Sequence, residues 1–223
     1  NISTVWNQAA MGQALLNSTI VAGLVSLSTV LFSTLAGFAF AKLPFRGRNI
    51  LLTLVVATMT IPPQLSVIPL YQIITDLEWG NQLQSVILPS LVAAFGVFFM
   101  RQFLAEALPV ELIEAARVDG AREFRLFRSV ALPMMVPGLV TVFLFQFVAI
   151  WNNFLLPYIM LGDDSKFPVT VGLYSLLQQG ANAPALYTLV ITGALLSIVP
   201  LIALFLGLQR YWRIDLLSGA VKS

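Results

Sequence analysis

Apolar residues fall in five long runs along the chain, and short polar segments separate them. A helix needs about 20 predominantly apolar residues to cross the hydrocarbon layer of a bilayer, and each run is close to that length. The sequence therefore predicts an all-α polytopic membrane bundle, one transmembrane domain over residues 1–223. The predicted spans are residues 19–41, 50–74, 86–103, 134–161 and 186–208.

The second run is interrupted by Pro62 and Pro63. Proline lacks a backbone N–H and kinks a helix, so the pair predicts a bend within this span. The bend either gates a path through the bundle or serves packing alone.

One polar segment, residues 109–133, stands between the third and fourth runs and is the only long charged segment of the chain. Glu111–Val118 predicts a short helix, and Asp119-Gly120 predicts a turn. Arg122–Ala131 predicts a second short helix, which Pro133 closes before the next span.

The second short helix is amphipathic by pattern. Phe124, Phe127 and Ala131 are predicted to share one face, while Arg122, Arg125 and Arg128 follow another. An exposed apolar pair beside a row of arginines suits a groove on a partner protein. The pattern is equally typical of a helix resting on lipid headgroups.

Charge sets an orientation for the five spans. Charged residues make up only 10% of the chain, against about 25% in soluble domains. If the loop after the first span is cytoplasmic, all cations but Lys166 fall on that side. Excess Lys and Arg mark cytoplasmic loops, so the N-terminus is expected outside and the C-terminus inside. A further helix is expected to precede residue 1.

Composition excludes several classes of enzyme. The chain has no His and no Cys, and thus lacks the usual zinc ligands, an imidazole base and a thiol nucleophile. A membrane-embedded enzyme would need acids or a metal site within the spans, and the predicted spans hold none. No GxxxxGK[ST] phosphate loop is present, so we expect no ATP hydrolysis by this chain.

The polar segment resembles the EAA loop of the ABC importer permeases. The resemblance rests on Glu114-Ala-Ala-Arg-Val-Asp-Gly-Ala121 followed by Val130-Ala-Leu-Pro133. The family pattern is EAA, a Gly three residues on, nine residues, an aliphatic residue, any residue and Leu-Pro. Gly120 and Val130 match its spacing.

The resemblance implies that the polar segment is a cytoplasmic coupling helix fitting a cleft on an ATPase subunit. It also implies three partners: a companion permease, an ATPase dimer that holds ATP and Mg, and an extracytoplasmic binding protein. The implied location of this chain is a bacterial or archaeal cytoplasmic membrane. No cofactor, metal or nucleic acid is expected for this chain itself, whose other partner is membrane lipid. The residues implied in ATPase coupling are Glu114, Ala115, Ala116, Asp119, Gly120, Ala121, Arg122, Phe124, Phe127, Leu132 and Pro133.

Two further stretches resemble the carbohydrate-uptake branch of maltose type, and specifically its shorter, six-helix permease subunit. They are Trp151-Asn-Asn-Phe-Leu-Leu-Pro-Tyr158 and Pro168-Val-Thr-Val-Gly172. The implied substrate is a di- or oligosaccharide of maltose or trehalose type. Importers of glycerol phosphate or another polyol share the branch, and a channel without nucleotide coupling is a more remote alternative.

The tail resembles the branch's C-terminal signature in Gln209-Arg-Tyr211 and Ser218-Gly-Ala-Val-Lys222. It departs from that signature, because Asp215 and Ser223 stand where glycine is usual and Ser218 where alanine is usual. The resemblance implies ATPase contacts for Arg210, Tyr211, Gly219 and Lys222.

Several polar and aromatic side chains fall within or beside the predicted spans: Gln64, Gln146, Trp151, Asn152, Asn153 and Tyr158. Polar groups at membrane depth usually face the bundle interior or a water path. They either contact the substrate or a gate, or they bond to neighbouring helices.

The acids of the EAA stretch have two interpretations. Glu114 and Asp119 either contact the partner ATPase or pair locally with Arg117 and Arg122. Exposed local pairs would contribute only about 0–1 kcal/mol.

Overall fold

Every regular element in the described part of the chain is helical, as the sequence predicts. The computed structural model describes residue 6, residues 10–178 and residues 184–211. Short 3₁₀ turns lie at Pro63–Ser66 and Asp164–Lys166, and a π-helical turn lies at Phe127–Ala131. The α-helices are α1 (Met11–Lys42), α2 (Arg48–Thr58), α3 (Val67–Asp76), α4 (Gln84–Ser90), α5 (Ala94–Ala107), α6 (Val110–Val118), α7 (Glu123–Leu126), α8 (Leu132–Trp151), α9 (Leu155–Met160), α10 (Val169–Gln178) and α11 (Pro184–Leu208).

Four helical stretches of the described residues are long and apolar enough to cross a membrane. They are Met11–Lys42, Gln84–Ala107, Glu123–Trp151 and Leu186–Leu208. A fifth candidate is the pair Arg48–Thr58 and Pro63–Asp76, which is bent by 90°. The bend follows from Pro62 and Pro63, which cannot donate the backbone hydrogen bonds that would continue α2.

The predicted fourth span, 134–161, is wrong at its end, because its helix stops at Trp151. The Val148 carbonyl accepts from both Asn152 Nδ2, at 2.8 Å, and the Asn152 backbone amide, at 3.1 Å. Pro157 cannot donate to the carbonyl of Asn153, which instead accepts from Thr170 Oγ1 at 2.9 Å. The chain resumes as the short helix α9.

Contacts divide the single predicted domain into two compact units. The first unit takes its described residues from 1–26, 63–91 and 146–207, and the second from 27–62, 92–145 and 208–223.

The first unit is held together by two apolar clusters and by buried polar side chains of α1. Asn17 Nδ2 donates to the carbonyls of Ser165 and Phe167 at 2.9 and 3.1 Å. Ser18 Oγ accepts from the Val169 amide at 2.9 Å. These bonds fix the loop before α10 against α1 without leaving buried polar groups unsatisfied.

Asn81 links two loops of the first unit. Its backbone amide donates to the Met160 carbonyl at 2.9 Å, and its Oδ1 accepts from the amides of Gly162 and Asp163, each at 3.0 Å. Lys166 Nζ donates to the Asn81 carbonyl at 2.8 Å. Asn81 has a φ of 57°, a left-handed conformation that Asn adopts more readily than most residues.

The second unit has one apolar cluster and a very close helix contact. A Cβ added at Gly37 of α1 would lie 2.6 Å from Met100 Cβ of α5. A Cβ added at Gly96 would clash with Ser33 Oγ. Because glycine has no side chain, the backbones of α1 and α5 approach each other closely at both positions, as helix backbones do at small residues in membrane bundles.

Candidate functional site

The polar segment begins with α6, which ends in a glycine-dependent cap. The Ala121 amide donates to the Ala116 carbonyl at 2.9 Å, and the Gly120 amide donates to the Arg117 carbonyl at 3.0 Å. This is the Schellman arrangement, which requires a left-handed residue after the helix, and Gly120 has a φ of 78°. The predicted turn at Asp119-Gly120 therefore follows from the left-handed backbone conformation of Gly120.

An ion pair spans this turn. Arg117 Nη2 lies 2.9 Å from Glu123 Oε1, so the end of α6 is tied to the first residue of α7. Neither Glu114 nor Asp119 has an ion pair or a side-chain hydrogen bond with another described residue. Of the two interpretations of these acids, local pairing with Arg117 and Arg122 is therefore absent from the described contacts.

The inner face of the polar segment belongs to the core of the second unit. Ile113, Leu126 and Ala131 are buried in one cluster with residues of α1, α5 and α8. Phe127 packs edge-on against Phe38, with ring centroids 5.2 Å apart. The segment is thus anchored by packing on one side.

The outer face carries apolar side chains that no described residue covers. Val118 is 88% exposed and Phe124 is 73% exposed, and Val110 and Leu112 of α6 are also exposed. Exposed apolar patches rimmed by charge mark sites of protein or membrane interaction. The unpaired carboxylates of the segment form part of that rim.

The predicted grouping of Phe124, Phe127 and Ala131 on one face is wrong. Phe124 points outward, while Phe127 is partly buried and Ala131 is fully buried. The π-helical turn at Phe127–Ala131 changes the angular spacing on which an α-helical face depends.

Pro133 does not close the second short helix, contrary to the prediction. The helical path runs from Glu123 to Trp151, and Pro133 is the second residue of α8. Proline in a helix clashes with the carbonyl four residues earlier. The wider π-helical turn just before Pro133 accommodates the ring at that point, so the helix continues.

The structure places the residues implied in coupling in three environments. Ala116, Ala121, Phe127 and Leu132 are partly buried, and Ala116 and Phe127 support the core cluster. Pro133 is exposed on α8. The other six residues implied in coupling are exposed on the segment: Glu114, Ala115, Asp119, Gly120, Arg122 and Phe124.

A cavity of about 540 Å³ lies within the first unit. Three of the residues predicted for a substrate path, Gln64, Asn152 and Asn153, line it. Sequence reasoning missed Ser66, Ser90 and Phe154, which line it as well. The signal that could have indicated them is their closeness to Pro63, Pro89 and Asn153, where helices are interrupted.

The other residues predicted for the path lie elsewhere. Trp151 is buried and stacks on Phe147, with centroids 5.6 Å apart. Tyr158 stacks on Phe154 at 5.0 Å. Gln146 and Tyr158 are not among the residues that line the cavity.

The tail is described only in part. Arg210 Nη2 donates to the Tyr211 hydroxyl at 2.9 Å, and its guanidinium carbon lies 4.9 Å from the Tyr211 ring centroid. Gly219 and Lys222, the other residues implied in tail contacts, lie outside the described residues.

Membrane-length helices with one anchored, partly apolar surface segment define a multi-pass membrane protein with an exposed interaction surface. The family described as "Binding-protein-dependent transport system inner membrane component" matches residues 29–212, so the chain belongs to that family. It is a permease of the ABC importer kind, a transport component of the inner membrane rather than an enzyme.

The chain is similar to the arabinooligosaccharides permease AraQ of Halalkalibacterium halodurans, with 37% identity over 92% of this chain and 72% of the relative. It is 32% identical, over its full length and 80% of the relative, to the melibiose/raffinose/stachyose permease MelC of Bacillus subtilis.

The sn-glycerol-3-phosphate permease UgpE of Yersinia enterocolitica is 30% identical over 95% of this chain and 77% of the relative. A solved bacterial ABC transporter involved in alginate import shares the fold, with a TM-score of 0.81 at 22% identity over 94% of this chain and 78% of that chain.

Proposed function

We propose that this chain is one permease subunit of an ABC importer for a carbohydrate, and that its polar segment receives the force of ATP hydrolysis from a separate ATPase. The observation that carries the proposal is the two-sided build of the segment. Its inner side chains are packed into the core of the second unit, and its outer face exposes Val118 and Phe124 beside unpaired acids. Such a face suits a partner protein that covers apolar and charged groups together.

The packing of the segment supports a mechanical role for it. Because Ile113 and Leu126 share a cluster with residues of α1, α5 and α8, displacement of the segment displaces those helices. Closure of an ATPase dimer would then drive alternating access in the bundle, to the extent that ATP favours the closed arrangement. The remaining assembly comprises a companion permease and an extracytoplasmic binding protein.

The carbohydrate assignment is supported by the relatives named for arabinooligosaccharides and for melibiose, raffinose and stachyose. The relative named for sn-glycerol 3-phosphate supports the second candidate, a phosphorylated polyol. We place the polar segment and the C-terminus on the cytoplasmic side, because the cations concentrate there under that orientation.

Site-directed cross-linking tests this proposal. The chain has no native cysteine, so Val118→Cys introduces a unique thiol on the exposed outer face. In the assembled importer we expect a short bis-maleimide to join this thiol to a cysteine of the ATPase. Val148→Cys, exposed on α8, is the matched control and should give no such product.

The same thiol tests the orientation. A membrane-impermeant maleimide should fail to label Val118→Cys in intact spheroplasts and should label it in inverted vesicles. Labelling from the outside, or an outer face that never reaches the ATPase, would refute the docking role.

A further inference from the structure

We propose that the second unit binds one anionic phospholipid of the cytoplasmic leaflet, with the phosphate at the loop between α1 and α2 and an acyl chain along α2. The inference goes beyond the proposed function, and it takes from that function only the cytoplasmic placement of this loop. Two surface features carry it: a basic loop that includes Arg46 and Arg48, and an apolar groove beside it.

The basic loop, residues 44–50, carries two cations that no described acid neutralises. Arg46 and Arg48 both line its concave surface, and neither guanidinium forms an ion pair with a described residue. Lys42, the third cation of this region, is already engaged, because its Nζ donates to the Leu108 carbonyl. The two arginines are therefore available to an anion, and guanidinium groups bind phosphate through charge-assisted hydrogen bonds.

The apolar groove, of about 460 Å³, runs between α2 and the start of α5. Positions three and four apart share one face of a helix, and the α2 wall is such a stripe: Leu51, Leu54, Val55 and Thr58. The opposite wall consists of Phe40, Val92, Ala94 and Val97. The Thr58 hydroxyl donates to the Val55 carbonyl at 2.7 Å, so its proton is satisfied within the helix. The groove therefore suits a hydrocarbon chain.

The basic loop and the apolar groove are continuous. Phe45 lines the loop surface and Phe40 lines the groove, and the centroids of their rings lie 5.8 Å apart. Ile50 and Leu51, neighbours in sequence, likewise line one surface each. A cationic end that leads into an apolar strip matches a phospholipid, whereas free phosphate would use the cationic end alone.

The length of α2 matches one leaflet of a bilayer. The helix has 11 residues, and none of them is buried. From Arg48 to Thr58, at 1.5 Å per residue, it rises about 15 Å, which is half of a hydrocarbon layer of about 30 Å. The span then bends by 90° between α2 and the helical stretch Pro63–Asp76. An acyl chain whose phosphate lies at Arg48 therefore follows α2 within a single leaflet.

The test places a fluorophore in the groove of the complete importer, reconstituted in proteoliposomes. Leu54→Cys, at a position 57% exposed, is labelled with bimane; this chain has no native cysteine, and the partner subunits are used in cysteine-free form. Phosphatidylcholine vesicles receive brominated phosphatidylglycerol or brominated phosphatidylcholine, and quenching gives the relative affinity of the two lipids. Ile191→Cys, similarly exposed on α11 and outside the groove, is the position control.

We expect phosphatidylglycerol to bind beside Leu54→Cys about 5- to 30-fold more tightly than phosphatidylcholine, because each cation near an anionic lipid favours binding by about 5-fold. Combining Arg46→Gln with Arg48→Gln should reduce this preference to less than about 2-fold. Combining Arg125→Gln with Arg128→Gln removes the same charge from the exposed polar segment and should leave the preference unchanged. Ile191→Cys should show no comparable preference.

Three results would overturn the inference. Equal quenching by the two lipids would mean that the groove contacts lipid without selectivity. An equal loss of preference in both arginine pairs would assign the effect to surface charge in general. No quenching by either lipid would mean that the companion permease covers the groove.

Sugar uptake by the same proteoliposomes reports on the proposed function separately. Uptake without lipid selectivity would refute the lipid site and leave the proposed function intact. Selectivity without uptake of any sugar would support the lipid site and count against the carbohydrate assignment.

Discussion

Arg117 and Glu123 face each other across the turn at Gly120, with Nη2 and Oε1 2.9 Å apart. Both side chains are substantially exposed, so the pair contributes only about 0–1 kcal/mol to folding. We expect its effect to be geometric, because it joins the end of α6 to the start of α7 across the turn and favours one angle between them. That angle determines how the outer face of the polar segment is presented.

Charge reversal at this pair should impair coupling without unfolding the protein. We expect Arg117→Glu and Glu123→Arg each to lower uptake per ATP hydrolysed, while the thermal unfolding temperature changes little. The double variant restores the attraction with its polarity inverted and should recover most of the uptake. A double variant no better than either single one would show that the pair does not set this angle.

Gly120 should tolerate only residues that accept a left-handed backbone. A Cβ there meets nothing within 4 Å, so any effect comes from the φ of 78° and not from a clash. An ordinary L residue pays about 1–2 kcal/mol in this conformation, and a β-branched one is worse. We expect Gly120→Val to insert but to hydrolyse ATP with little sugar uptake. Gly120→Asn, which adopts this conformation more easily, should retain uptake; normal uptake by Gly120→Val would contradict the role of the turn.

Loss of the Phe124 ring should affect ATPase binding, whereas loss of the Phe127 ring should affect the stability of the fold. Phe124→Ala removes an exposed ring and should change the free energy of unfolding by less than about 0.5 kcal/mol. It should nevertheless reduce the ATPase retained on purification. Phe127→Ala removes a ring packed on Phe38 and should destabilise the protein by about 3 kcal/mol. Thermal unfolding and the ratio of ATPase to permease, measured on both variants, distinguish a side chain that docks the ATPase from one that packs in the core. If Phe124→Ala retained as much ATPase as the wild type, Phe124 would not belong to the docking face.

Two glycines of α1 offer a matched pair for helix packing. Gly37→Ala puts a Cβ 2.6 Å from Met100 Cβ and 3.0 Å from the backbone N of Arg101, so α1 and α5 must separate. We expect a loss of about 1–3 kcal/mol of stability, measured by thermal unfolding in detergent. Gly23→Ala meets nothing within 4 Å and should be neutral or stabilising by up to about 1 kcal/mol. Similar losses from both would indicate that contact with α5 is not the cause.

The membrane helices could be predicted from sequence because hydrocarbon length and apolar runs correspond directly. The turn at Gly120 could be predicted because few other residues adopt its conformation. The continuation through Pro133 could not, because the rule for proline assumes regular α-geometry and a π-helical turn replaces it there. The Arg117–Glu123 pair is six residues apart, a spacing that helix periodicity does not bring together.

The residues that line the cavity could likewise be predicted only in part from the sequence. Gln64, Asn152 and Asn153 were recognisable as polar groups within or beside apolar spans. The same criterion also selected Gln146, which lies outside the lining. Which side of a helix faces a cavity depends on how the helices pack, and one sequence without a three-dimensional arrangement does not determine that.

The two faces of the polar segment differ in how freely their residues can be substituted. Inward residues such as Ile113 and Leu126 are constrained by their own bundle, whereas outward residues such as Val118 and Phe124 are constrained only by what they meet. Grafting the outward positions of another importer's segment, with the inward positions left intact, should therefore redirect this permease to a different motor subunit without rebuilding its transmembrane helices.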